Sequence, residues 1–394
     1  MRPRLKLEVG LITTARFIFH TTHRMMYPFL AALASGMGVD LRAISLAITA
    51  FNTSGAFGPF LAAIADSRGR KAGILLGMGI FVVGLLTVAI HPAYQTFFIA
   101  AVLAGIGVAV MVPSTHAYLG DQVPYERRGL AISVTELSWS AAFVVGVPLV
   151  GLLISHQGWA APFPILAGAG VVMMMLFAWL LPSDRPAPGS RGLFSNFKSV
   201  LTYGPALAGV LMGVTATAGN ETINLVFGIW MGNSFGLQIT ALGAASMVLG
   251  LSELSGEGLA AVLVDRLGKQ RSIALGFLVN CISAGVFLFL GRTLVGALFS
   301  LFFFYLSFEF VILSSLPLMT EIYPSARGTL MALNAAGLSL GRALGALAAA
   351  PLYQGWGIVA NGLFAIVLDL LGLLLLRWVV VRKKAVVLET AEPG

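Results

Sequence analysis

Apolar runs of about twenty residues, separated by a few polar positions, recur along the whole chain, and a helix of that length spans the hydrocarbon core of a bilayer. Segmenting on this pattern predicts twelve spans, at about 8–34, 42–65, 72–91, 94–120, 129–155, 160–181, 201–232, 238–264, 272–290, 293–320, 328–352 and 357–380. In lipid each backbone N–H and C=O has to be satisfied within its own segment, so the runs read as helices. The ten-residue alternation of an outer-membrane barrel is absent. The longest polar connection, "PSDRPAPGSRGLFSNFKSV", is rich in Pro, Gly and Ser. It predicts two six-helix bundles, residues 1–182 and 201–394, joined by a linker at 183–200. The expected class is an all-α integral membrane protein.

Composition agrees with that solvent. The 394 residues are 58% hydrophobic and 10% charged, whereas a soluble domain carries about a quarter charged residues. The net charge of +8 does not point to nucleic acid, because topology accounts for it. With both termini cytoplasmic, nineteen of the 24 Lys and Arg residues fall in inner segments, while only Arg42 and Arg292 fall outside. The single Cys281 excludes an intramolecular disulfide and suggests no metal site. No cleavable leader is expected, since the first span is long and interrupted by Arg16, His20, His23 and Arg24. No cofactor is implied.

The two halves repeat. Asp66-Ser67-Arg68-Gly69-Arg70-Lys71 recurs as Asp265-Arg266-Leu267-Gly268-Lys269, and "DQVPYERRG" at Asp121 recurs as "EIYPSARG" at Glu321, at offsets of 199 and 200. All four loops follow the second or fourth span of their half. Six spans is an even number, so the halves run in the same direction, as in transporters built from parallel repeats with a midplane site. On these motifs the chain resembles the major facilitator superfamily over essentially its whole length. Asp66 to Lys71 is similar to that family's loop Gly-x-x-x-Asp-Arg-x-Gly-Arg-Arg, with Ala62 at the first Gly and Ser67 at an Arg. Gly146-Val147-Pro148 with Gly151 resembles part of its antiporter pattern. The resemblance implies a twelve-helix transporter fold, a monomer, and a cytoplasmic gate built from Asp66, Arg68, Gly69, Arg70, Lys71, Asp265, Arg266 and Gly268.

Charges inside spans carry the functional expectations, because an ionisable group at mid-bilayer costs about 2.5–3.5 kcal/mol on insertion scales and needs a partner or water. Arg16, His20, His23 and Tyr27 recur at i, i+4, i+7, i+11 with Arg24 alongside, forming one polar stripe on the first span. The seventh span, its repeat mate, carries Thr217, Asn220, Glu221 and Asn224, with His20 aligned to Asn220 and Arg24 to Asn224. These residues, with Glu309 and Arg342, are the expected cavity and substrate contacts. Arg16 and Arg24 have a second reading as ion-pair partners of Glu136 or Glu221. Candidate proton carriers, in order, are Glu221, Glu136 and Glu309. His116 and Glu257 sit toward the cytoplasmic end, suiting gating, and Asp369 in the last span reads as structural. No nucleotide-binding G-x-x-x-x-G-K-[ST] loop occurs. The expected function is proton-coupled efflux of an amphipathic compound in a cell membrane by an antiporter. Uptake of an organic anion, a lipid flippase and a non-transporting receptor are the alternatives. No nucleophile–base set marks an enzyme.

Overall fold

The structure is a computed structural model describing residues 3–58, 60, 69–182 and 197–391. Among these residues every regular element is helical. The first half holds α1 (Pro3–Arg24), α2 (Leu30–Met37), α3 (Leu41–Ala56), α4 (Arg70–Ile90), α5 (Tyr94–Gln122), α6 (Tyr125–Ala141), α7 (Val147–Gln157) and α8 (Pro162–Leu180). After the short α9 (Phe197–Thr202) come α10 (Gly204–Phe235), α11 (Ile239–Leu267), α12 (Lys269–Leu290), α13 (Leu294–Ile322), α14 (Arg327–Trp356) and α15 (Ile358–Ala391). Grouped by span, α1 with α2 and α6 with α7 are single broken helices, giving the twelve-helix fold.

Nine helices among the described residues, with α6 and α7 taken as one, are long and apolar enough to cross a membrane, or ten if α2 and α3, bent by 114°, count together. The stripe-bearing α1 and α10 are not among them. Each trades apolar surface for the polar face described below, so hydropathy alone understates the two spans of greatest chemical interest.

The first span, expected as one helix over 8–34, is interrupted at 25–29. Pro28 has no N–H to give and disfavours helical backbone at Tyr27. The chain turns instead, with Met26 N–H donating to His23 O at 3.3 Å and Tyr27 N–H to Arg24 O at 3.4 Å. The fifth span absorbs Pro148 differently. A π turn over Ala142–Gly146, closed by Val147 N–H on Ala142 O, leaves Pro148 in the opening turn of α7, where a missing N–H is harmless. Polar caps fix other ends: Asp40 accepts from Ala43 N–H at 2.9 Å, and Thr293 from Gly296 N–H at 3.2 Å.

By contact the chain forms two compact units, Met1–Ser190 with Leu225–Leu251, and Arg191–Asn224 with Ser252–Gly394. Each is held by glycines at helix crossings, as expected where close packing rather than hydrophobicity drives association in lipid. In the first unit a Cβ on Gly146 would collide with Thr21. In the second a Cβ on Gly345 would lie 2.5 Å from Ala218 O and 2.8 Å from Glu221 Cβ. Thr21 and Glu221 are repeat mates, so the first–fifth crossing of one half recurs as the seventh–eleventh of the other. Gly341 also presses on α10, at Thr217 and Val214.

Candidate functional site

The α1 stripe lies wholly inside the first unit, and its two arginines meet different surroundings. Arg16 makes a bidentate ion pair with Glu136 of α6: Nη1 donates to Oε1 at 2.8 Å and Nη2 to Oε2 at 2.7 Å. His116 of α5 closes the cluster, with Nε2 2.8 Å from Arg16 Nη1 and 2.9 Å from Glu136 Oε1. The guanidinium is buried, its side chain 4% exposed, while the Glu136 and His116 side chains are 44% and 38% exposed. A carboxylate cannot present that much surface to hydrocarbon, so this edge of the cluster meets water.

Two turns along α1, Arg24 is buried and its Cζ lies 3.7 Å from the Trp139 ring centroid and 4.1 Å from that of Phe143. Both rings come from the fifth span, and cation–π attraction of this kind is strongest when desolvated. His20 meets Trp139 edge-on at 5.0 Å. His23 stacks on Phe51 of α3 at 4.3 Å and lies 2.9 Å from the Tyr27 hydroxyl through Nε2. All five expected residues of the α1 stripe are therefore buried and face protein.

In the second unit the α10 stripe is equally buried. Tyr305 of α13 donates its hydroxyl to Asn224 Oδ1 at 2.8 Å, and Asn224 Nδ2 donates to Glu221 Oε2 at 3.3 Å. Asn220 is buried and its Nδ2 donates no hydrogen bond. Glu309, buried on α13, sits where Gly256 of α11 packs against it, its Cβ 3.0 Å from a Cβ built on that glycine. Arg342 is half-buried on α14.

Sequence reasoning missed the partners rather than the stripes. Trp139 follows Glu136 by three positions and Phe143 follows Trp139 by four, so both share its helical face. Tyr305 stands four positions before Glu309. Reading those faces for aromatics would have found all three.

The loop motif is legible in both halves. Asp66 and Arg68 lie outside the described residues. Gly69 and Gly268 open α4 and α12 with φ of 97° and 83°, a conformation that favours glycine and explains its recurrence in the motif. Arg70 pairs with Asp121 at 3.3 Å, and its repeat mate Lys269 with Glu321. One ion pair thus ties the third span to the fourth and, 199–200 residues later, the ninth to the tenth. Lys71 donates to Ala178 O at 2.8 Å and Leu181 O at 2.7 Å, capping the negative end of α8. Asp265 and Arg266 are exposed. Among the described residues no cluster of His, Cys, Asp and Glu could hold a metal ion.

Comparison with known proteins agrees with this architecture. The family model described as Major Facilitator Superfamily matches residues 12–211 and 209–393. The uncharacterized MFS-type transporter YceJ of Bacillus subtilis is 26% identical, over 88% of this chain and 89% of its own. Multidrug resistance protein 2 of the same organism is 24% identical, over 79% and 78%. Among solved structures, a peptide transporter POT in complex with alafosfalin superposes with a TM-score of 0.76 at 14% identity, covering 94% of each chain.

Proposed function

The chain belongs to the major facilitator superfamily, a family of membrane transporters and not enzymes, and from that premise we propose that it exports an amphipathic small molecule by alternating access, in exchange for protons. The observation that carries the proposal is the Arg16–His116–Glu136 cluster. Two titratable side chains, roughly two-fifths exposed, sit within spanning helices, where an ionisable group is expensive unless it has work with ions or water. Protons can reach such a group, and binding one changes the charge a helix carries through the bilayer.

The buried faces of the first unit suit an amphipathic solute, because cations and imidazoles there alternate with Trp139, Phe143, Phe51 and Tyr27. Likeness to Multidrug resistance protein 2 supports a drug-like solute. In this reading the repeat halves are 1–182 and 201–394, the protein acts as a monomer in a plasma membrane with cytoplasmic termini, and Glu221 and Glu309 are further proton carriers. A second reading, carriage of an organic anion, is favoured by the cationic character of α1, which brings two arginines and two histidines into the membrane.

Purified protein in vesicles tests both. With an imposed pH gradient, ethidium should be carried against its concentration gradient and collapse of the gradient should stop it. Transport of carboxyfluorescein instead would favour the anion reading, and movement of neither probe nor protons would reject a coupled transporter.

A further inference from the structure

We propose that His116 is a proton-operated switch, which on taking up a proton trades its contact with Arg16 for one with Glu136 and so loosens the hold of α1 on α6. The inference deepens the proton coupling proposed above and rests on it for its transport consequence, though the switch itself is testable separately.

The argument starts from one atom used twice. His116 Nε2 lies 2.8 Å from Arg16 Nη1 and 2.9 Å from Glu136 Oε1. A guanidinium only donates, and an ionised carboxylate only accepts. An imidazole nitrogen carries either a lone pair or an N–H, so it can satisfy one of these neighbours at a time. With Nε2 unprotonated it accepts from Arg16, and its lone pair then opposes that of Oε1. When a proton is added to Nε2 while Nδ1 keeps its hydrogen, Nε2 donates to Oε1 in a charge-assisted bond, and an imidazolium then faces a guanidinium.

The contested oxygen is the same Oε1 that receives Arg16 Nη1 at 2.8 Å. Protonation therefore competes for one arm of the bidentate pair and leaves the other, Nη2 to Oε2 at 2.7 Å. The displaced Nη1 retains Thr135 Oγ1 at 3.4 Å. A two-point clamp between α1 and α6 becomes a one-point clamp, while α5 is drawn to α6. The proton has a route: hydronium in the water that meets the exposed imidazole edge gives H+ to the Nε2 lone pair, forming an N–H bond and leaving water. Deprotonation reverses the step.

Several other polar and charged groups on the surrounding helices have partners of their own. On α1, Glu8 accepts from Tyr118 of α5 at 3.0 Å and from Arg4 at 3.3 Å, and His20 meets Trp139 of α6. On α5, Asp121 pairs with Arg70 of α4. His116 itself meets Arg16 and Glu136.

The chain has five histidines, so 15N-histidine labelling of the full-length protein in lipid nanodiscs is tractable. The His116 signal is assigned by its loss in His116→Gln or, if that variant does not fold, by elimination with variants of the other four. Nε2 should change from unprotonated to protonated as the pH is lowered across the range used to drive flux in vesicles. In a 15N-arginine sample the Nη signals of Arg16, assigned by their loss in Arg16→Met, should move in the same pH step. In vesicles, His116→Gln should reduce pH-gradient-driven ethidium flux by about tenfold or more while ethidium exchange is retained. A His116 locked in one protonation state across that range, Arg16 signals indifferent to its titration, or unimpaired gradient-driven flux in His116→Gln would overturn the proposal. Absence of driven flux in the wild type would reject the coupled-transport reading, and the spectra would still decide the switch.

Discussion

Removing either member of the Arg16–Glu136 pair should destabilise the protein, but by unequal amounts, and the structure sets the order. Glu136→Gln leaves a guanidinium whose side chain is 4% exposed without a counter-charge. Stranding one partner of a fully buried pair costs about 3–5 kcal/mol. Here the glutamine oxygen can still accept one hydrogen bond and His116 Nε2 stays 2.8 Å away, so the loss should fall somewhat below that range, at about 2–3 kcal/mol. Arg16→Met instead leaves a carboxylate that is 44% exposed and 2.9 Å from His116. That carboxylate rehydrates, and methionine keeps much of the buried stem packing, so the loss should be about 1 kcal/mol.

Thermal unfolding of the purified variants in one detergent reads the order directly. Over a unit of about 200 residues each kcal/mol corresponds to roughly 2–4 °C, so Glu136→Gln should melt several degrees below Arg16→Met. The double variant removes both charges and should melt above Glu136→Gln alone, a non-additivity of about 1–2 kcal/mol. Equal single effects, a reversed order or simple additivity would show that the pair is not a buried cation held by a hydrated anion.

Three further outcomes follow from packing and burial. Gly345→Ala places a methyl 2.5 Å from Ala218 O, so it should lower stability by about 1–3 kcal/mol, while Gly10→Ala, with nothing within 4 Å, should be neutral in the same melting assay. Trp139→Ala removes one of the two rings over Arg24 and the edge contact to His20, for a loss of about 2 kcal/mol or more, and Trp139→Phe should recover part of it. Asp369 is 3% exposed with no hydrogen bond to Oδ2, so Asp369→Leu should raise the melting temperature by the equivalent of about 1–3 kcal/mol; a lower value would reveal a supporting contact.

The stripes on the first and seventh spans were legible because helical periodicity is local: residues three and four apart share a face whatever lies opposite. The 199–200 offset between loops likewise put Lys269 and Glu321 at the repeat positions of Arg70 and Asp121, while the ion pairs themselves came from the fold. The break at 25–29 was readable in principle from Pro28, yet the apolar run continues through it and masks the interruption. For Arg16, ion pairing and substrate contact both stood open from sequence, and the fold brings Glu136 to it. Arg24 had the same two readings, and the Trp139 and Phe143 rings beneath its guanidinium belong to neither.

The chain's own order of residues determined the solvent, the number of spans, the internal duplication and the faces that carry charge, since each depends on composition or on spacing within one helix. Only tertiary structure decided which neighbour meets each charge. That outcome depends on how close two helices come and at what height they cross, and glycines such as Gly146 and Gly345 set those distances from the opposite side of the contact. Arg16 on the Glu136 carboxylate and Arg24 over the Trp139 ring stand in the same stripe, and the height at which each meets the fifth span decides what it touches.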